Sequence, residues 1–115
     1  MSHDPNCLFC KIAAGQIPSR KVYEDDELLA FHDIAPWAPV HFLIIPKAHI
    51  ATLYDTTGDH TAMLGRMTAL APVLAREQGV VNGFRIVVNT GPDGRQEVQH
   101  LHMHVMGGPR PWLRG

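Results

Sequence analysis

Apolar and polar positions alternate without a break near the end of the chain, where Leu101, Met103 and Val105 interleave with His100, His102 and His104. A period of two is that of a β-strand, with residues i, i+2 and i+4 on one face about 7 Å apart. The pattern predicts a strand over residues 98–106, with three imidazoles on a polar face and the apolar residues in a core. Residues 41–46 (HFLIIP) are apolar on both faces and read as a buried strand. Shorter strands are predicted over residues 21–24 and 27–33, around the acidic turn Asp25-Asp26, and over 84–89. The period changes in residues 56–78. There Met63, Met67, Leu70 and Leu74 recur at helical spacing, with Gly79 just beyond, so this is the one long helix and its methionine stripe is core. Pro72 inside it predicts a kink or local break, at a cost of about 3 kcal/mol. A short helical segment at residues 7–14 is ended by Gly15 and Pro18. Pro36 and Pro39 exclude regular structure from residues 35–39.

Paired strands with one long and one short helix, and little βαβ alternation, predict an α+β fold. The expected sheet is an antiparallel meander of about five strands. Its last two strands would be neighbours across the loop 91–96, bringing Asn89 and His102 to the same end. With no internal repeat, low-complexity stretch or linker, the 115 residues read as one domain, 1–115. Apolar residues make up 45% and charged ones 18%, an ordinary globular balance. A net charge of −1 with no basic run argues against binding nucleic acid through its phosphates. No stretch approaches a membrane span, and the opening MSHDPNC lacks the basic and apolar regions of a signal peptide, so a cytoplasmic location is expected. In a reducing compartment the pair Cys7-Leu8-Phe9-Cys10 suggests metal or redox chemistry more than a structural disulfide. It could be half of a zinc site, a redox pair or two incidental thiols; zinc would need two further ligands.

Three of the eight histidines sit in the alternating strand. A strand built for packing alone would carry Thr, Ser or Lys on its polar face, whereas imidazole can be nucleophile, proton carrier or metal ligand near neutral pH. The run His100 to Met106, closed by Gly107-Gly108, resembles the motif of the histidine-triad (HIT) family, in its Hint-like branch of nucleoside phosphoramidases. CLFCKIAAGQIPS (Cys7 to Ser19), FHDIAPWAPVHFLIIPKAHI (Phe31 to Ile50) and FRIVVNTGPDG (Phe84 to Gly94) resemble the corresponding family segments, in family order.

The resemblance implies a homodimer whose two sheets join into one, each subunit binding a purine mononucleotide of AMP or GMP type. It implies transfer of the nucleotidyl group through a covalent nucleotidyl-histidine, with His102 as nucleophile, His104 against the phosphate and His41 orienting the triad. Neutral imidazole is a competent nucleophile towards phosphorus, and the resulting phosphoramidate is labile enough to hydrolyse. The nucleotide pocket carries over to Leu8, Phe9, Ile12, Phe31 and Ile34 as apolar walls and to Asp33 as acceptor of the ribose hydroxyls. His32 belongs to the same segment, although by itself it reads, with His3 and His60, as a surface or packing residue. Asn89 matches a phosphate and ribose contact, and Gln96 and Glu97 match a loop presenting backbone N–H groups to the phosphate.

Two positions depart from many Hint-like proteins. Arg95 stands where they have Gly, losing the freedom to take φ > 0 and adding a positive charge near the phosphate. Glu97 stands where they have Ser or Thr, and a carboxylate cannot protonate a leaving amine at pH 7 unless its pKa is raised. Some prokaryotic-type relatives bind zinc with such a Cys pair and two histidines, positions that correspond here to Cys7, Cys10, His49 and His100. Hydrolysis of dinucleoside polyphosphates, and a nucleotide-binding regulatory module with little turnover, are the alternative functions. A mononuclear metalloenzyme using all three triad histidines is disfavoured, since the first and third lie about 13 Å apart on an extended strand. The tail 109–115 resembles the family's Trp-bearing C-terminus, which can reach the partner subunit's site.

Overall fold

The computed structural model describes residues 3–113. A short helix α1 (Leu8–Ala13) precedes three strands, β1 (Lys21–Glu24), β2 (Leu28–His32) and β3 (Val40–Pro46). Two 3-10 turns (Leu53–Asp55 and Gly58–His60) lead into the long helix α2 (Thr61–Glu77), and β4 (Phe84–Val87) and β5 (Met103–Gly107) follow. All strand pairs are antiparallel, in the order β1-β2-β3-β5-β4.

The α+β class, the strand number and the pairing of the last two strands are as expected from the sequence. The order differs from a simple meander. After β3 the chain crosses through α2 to the far edge, and β5 inserts between β3 and β4. Burial explains this order: β5 is covered on both sides, while the four residues of β4 are half-buried or exposed and suit an edge.

Strand alternation sorts the sheet into two faces. Leu28, Ala30, Phe42, Ile44, Met103 and Val105 point towards α2 and form one core with its Met63, Met67, Ala71, Leu74 and Ala75. Leu29, Phe31, Leu43 and Ile45, each one residue out of phase, point the other way and pack on Cys7, Phe9, Cys10 and Ile12 around α1. His41 and His104 share the phase of this second face.

The long helix begins five residues later than the hydrophobic pattern predicts. Thr52 and Thr57 each accept a backbone N–H from two residues on, at Tyr54 and Asp59, and the third residue of each turn bonds back to the cap. Such local side-chain bonds compete with helix and hold 3-10 turns instead. Pro72 does not break α2, which runs unbroken through it. Its neighbours Ala71 and Leu74 are fully buried against the sheet, and this packing outweighs the missing N–H.

The histidine strand is shorter than its alternation. The β3–β5 ladder ends at the pair Ile44–Met103, and residues 98–102 make no strand pairing. Leu101 N–H instead donates to the Ile50 carbonyl at 2.6 Å. The alternation persists outside the ladder, with Leu101 in the α2 core and the neighbouring histidines on the α1 side. The expected polar face is in fact interior: His100 and His102 are buried, as is His41.

Candidate functional site

The four expected metal ligands converge at the start of α1. The Sγ atoms of Cys7 and Cys10 and a ring nitrogen each of His49 and His100 all lie within 4.8 Å of one another. His100 Nδ1 is 3.2 Å from Cys7 Sγ and 3.5 Å from Cys10 Sγ, and His49 Nδ1 is 3.3 Å from Cys10 Sγ. Zinc bonds of about 2.3 Å to sulfur and 2.0–2.1 Å to nitrogen give a tetrahedral S···N edge of about 3.6 Å, so this donor set fits zinc. The surroundings fit as well. Cys10 N–H donates to Cys7 Sγ, Asp4 N–H donates to Cys10 Sγ, and His100 Nε2–H donates to the Pro46 carbonyl at 2.7 Å. Fixing the second nitrogen of a ligating histidine on a carbonyl is the usual support of such sites. Burial pushes the Cys10 thiol pKa up, so it would be given up only to a metal or another strong partner.

His41 and His104 form a hydrogen-bonded chain, and their tautomers and that of His102 can be read from fixed backbone groups. Trp37 N–H donates to His41 Nδ1 at 3.1 Å, so neutral His41 carries its proton on Nε2. That Nε2–H donates to His104 Nδ1 at 2.9 Å, which leaves the His104 proton on Nε2. His102 is set the opposite way: Nδ1–H donates to the His100 carbonyl at 2.6 Å, so Nε2 holds the lone pair. The rings of His102 and His104 are 5.0 Å apart. One nucleophilic nitrogen and one N–H donor therefore stand side by side.

The electrostatics keep these rings neutral. Burial pushes His104 down to about 4, helped by His102 and His41 and opposed by the Asp33 carboxylate. Burial also lowers His102, against its bond to the His100 carbonyl and the carboxylates of Asp33 and Glu97. His41 is lowered by burial, with Asp33 pulling the other way. Asp33, His41 and His104 also come within 4.8 Å of one another, but the 2.9 Å approach of the two ring nitrogens is a hydrogen bond.

Among the expected pocket residues, Phe9, Ile12 and Phe31 are buried on the α1 face, with Phe9 edge-on to Phe31 at 5.5 Å. Phe9 also meets His102 edge-on, at 5.1 Å and 89°. Asp33 uses one oxygen to accept Ala35 N–H in a turn, and its other oxygen lies 3.6 Å from His41 Nε2. The structure does not gather every expected residue. Alternation along β2 puts His32 in phase with Ala30, on the face opposite Phe31. Leu8 is 46% exposed and Ile34 101%, so neither is part of an enclosed wall within one chain. Asn89 is half-buried just beyond β4.

The loop that follows differs from expectation in two ways. Arg95 does take the left-handed conformation, at φ 62°, despite its side chain. Gln96 turns inward: its N–H donates to the Gly91 carbonyl, its Oε1 accepts Gly91 N–H, and its Nε2 donates to the carbonyls of Ala51 and Val98. Gln96 thus braces the loop, and its N–H is not turned towards a phosphate. Glu97 is exposed and acts on His102 through its charge.

Trp37 is the residue that the sequence pattern does not single out. Besides fixing His41, its indole stacks on the His104 ring, 6.1 Å between centroids at 16°. Its place between two prolines, four residues before His41, is the available signal. The tail packs on its own subunit here. Leu113 N–H donates to the Trp37 carbonyl, and the guanidinium groups of Arg85 and Arg110 lie over the Trp112 ring, 5.9 and 5.6 Å from its centroid. Residues 114 and 115 of the expected tail lie outside the described residues, as do the first two residues of the opening segment.

Comparison with known proteins agrees with this geometry. The HIT domain model matches residues 14–110. The purine nucleoside phosphoramidase of Escherichia coli (strain K12) is 46% identical over 102 residues, covering 88% of this chain and 86% of that protein. The 14 kDa zinc-binding protein of Brassica juncea is 47% identical over 103 residues, 88% of this chain and 91% of that one. Among solved structures, a HIT family hydrolase from Legionella pneumophila superposes with a TM-score of 0.88 at 49% identity, covering 91% of this chain and 95% of that one. A zinc-bound histidine triad family protein from Mycobacterium smegmatis gives 0.78 at 35%, covering 89% and 74%. The convergent histidines, the sheet that carries them and these matches have one conclusion: the chain belongs to the HIT domain family.

Proposed function

We propose that this protein is a hydrolase that cleaves purine nucleoside phosphoramidates through a covalent nucleotidyl-histidine on His102. The single observation that carries this reading is the bond from His102 Nδ1–H to the His100 carbonyl, which leaves an uncharged lone pair on Nε2. In the first step Nε2 attacks the phosphorus, the P–N bond breaks, and the leaving amine takes up a proton from solvent. Water then attacks the same phosphorus and releases the nucleoside monophosphate and free His102. Two easier displacements replace one difficult one. His104 Nε2–H, supplied by the relay from Trp37 through His41, faces the charge that develops on the phosphoryl oxygens. Asp33 is assigned to the ribose and Phe9, Ile12 and Phe31 to the base. The name of the Escherichia coli relative supports the P–N bond as the target.

Cys7, Cys10, His49 and His100 would hold zinc, and bound there it supplies a structural tie between the start of α1 and the histidine segment. The zinc-binding relatives support this reading. A homodimer is supported by β4, an edge strand whose Ile86 is 38% exposed with Val81 nearby in sequence at 76%. Two copies pairing along β4 would join their sheets and cover those groups. Among the described residues no helix is long and apolar enough to cross a membrane. The two free cysteines accord with a reducing compartment, for which we propose the cytoplasm.

Rapid mixing with adenosine phosphoramidate followed by intact mass measurement tests the proposal. An AMP adduct is expected in wild type and absent in His102→Ala. No adduct and no AMP release would overturn the phosphoramidate reading. Faster release from a dinucleoside polyphosphate would favour that substrate instead.

A further inference from the structure

We infer that the Cys7/Cys10/His49/His100 cluster is a positioning device for the reaction: with a metal in place, His100 holds its own carbonyl where it fixes the tautomer of His102. This rests on the assignment of His102 as nucleophile. The side chain and main chain of His100 belong to two different centres. Its ring is anchored on both edges, by the thiols at Nδ1 and by the Pro46 carbonyl at Nε2. Its carbonyl oxygen, a few bonds away, accepts His102 Nδ1–H at 2.6 Å. His100 thus meets the thiols through its ring and His102 through its main chain.

Two features make this coupling strong. Residues 98–102 have no ladder partner, because the strand pairing begins at Met103. The sheet therefore does not hold the His100 carbonyl; the buried ring does, together with the His100 N–H bond to the Val98 carbonyl and the Leu101 bond to Ile50. The second feature is Phe9, which lies between the two thiols in sequence and presses edge-on against both His100 and His102, at 6.0 and 5.1 Å. Closing the ligand set around a metal thus restrains His102 from two sides. A histidine released from such a carbonyl is free to carry its proton on Nε2, and that form has no lone pair on Nε2 for attack. His100 and Phe9 act through His102 and are positioning residues with respect to the chemistry.

The test uses the full chain, zinc-loaded and labelled with ¹⁵N-histidine, and compares it with the same protein stripped by a chelator and then restored with zinc. Long-range ¹H–¹⁵N spectra read the tautomer directly. His102 is expected to be Nδ1–H when loaded, to shift towards Nε2–H when stripped, and to return with zinc. In parallel, kcat on adenosine phosphoramidate falls about tenfold or more while KM stays within about twofold, the scale of losing an orienting partner. His49→Ala should reproduce the stripped state, and His49→Cys, which keeps a ligand, should restore both readouts. Circular dichroism checks folding. If complete stripping unfolds the chain, His49→Ala, with three ligands left, carries the comparison. An unchanged tautomer in a folded, metal-free protein overturns the inference. If wild type shows no turnover, the functional reading fails while the tautomer readout still decides this one.

Discussion

The two faces of the sheet come from the same strands, one residue out of phase, yet they do different work. The buried core of the face towards α2 is apolar: Leu28, Phe42, Ile44, Met67 and Leu74 are all but inaccessible and make no hydrogen bond with their side chains. The face towards α1 is just as interior but carries His41, His100, His102 and two thiols among its apolar residues. Burial stabilises the first face at roughly 25 cal/mol per Å² of apolar surface. On the second face burial costs unless each polar atom finds a partner, and the partners found are backbone groups of Trp37, Pro46 and His100. The lesson is that the second face holds its chemistry rigidly because exchange with water is denied to it. Each imidazole nitrogen that is not satisfied by a fixed backbone group or a neighbouring ring is left for a ligand.

Four measurements would break or sharpen that contrast. The largest effect is expected from His102→Ala, which should lower phosphoramidate turnover by at least about 10³-fold and abolish the AMP adduct. Stability in urea should fall by about 1–3 kcal/mol, because the buried His100 carbonyl loses its partner and Phe9 its neighbour; a much larger fall would mean that the second face is structural first. The mirror experiment is Phe42→Ala on the α2 face. Loss of a fully buried ring should cost about 3–5 kcal/mol in equilibrium unfolding, with turnover per folded molecule retained.

Acid should separate the faces without mutation. His104 has its pKa lowered from the ordinary 6.5 to about 4, so the unfolded chain binds more protons than the native one between those values. Stability contributed in this way is complete above about pH 6.5 and is lost progressively as the pH falls to about 4. His41 shifts in the same direction and adds to the effect. The Asn variant of His104 should flatten this slope in denaturation curves taken across the window, and an unchanged slope would remove His104 as its source. The smallest effect is expected from Arg95→Gly. A non-glycine residue at φ 62° carries about 1–2 kcal/mol of strain, partly offset by glycine's freedom in the unfolded chain. The variant should be more stable by up to about 1 kcal/mol by thermal unfolding, and any loss of stability would show that the Arg95 side chain makes a compensating contact.

Periodicity made much of the α2 face legible in advance. The spacing of Met63, Met67, Leu70 and Leu74 and the runs 41–46 and 101–105 identify core residues without reference to anything distant. What periodicity misread was local competition. Thr52 and Thr57 divert the chain into 3-10 turns, and the packing of Ala71 and Leu74 carries the helix past Pro72. On the α1 face the family resemblance pointed to Cys7, Cys10, His49 and His100 as ligands and to His102 and His104 as a pair, and the structure brings both groups together. It could not assign Gln96 to the loop's interior or Trp37 to the His104 ring. Both depend on contacts between segments far apart in the chain: Gln96 with Ala51, and Trp37 with His104.

The alternation of residues 100–105 was sufficient to place three histidines on one side and three apolar residues on the other, because side-chain direction in extended chain is set by the backbone itself. Which nitrogen of each histidine is available was not encoded in that spacing. The carbonyls of Pro46 and His100 and the Nε2–H of His41 decide it, and two of these three groups, Pro46 and His41, reach their histidine only when distant segments pack together. Tertiary structure thereby turned three equivalent imidazoles into one member of the Cys/His cluster, one lone pair and one N–H donor.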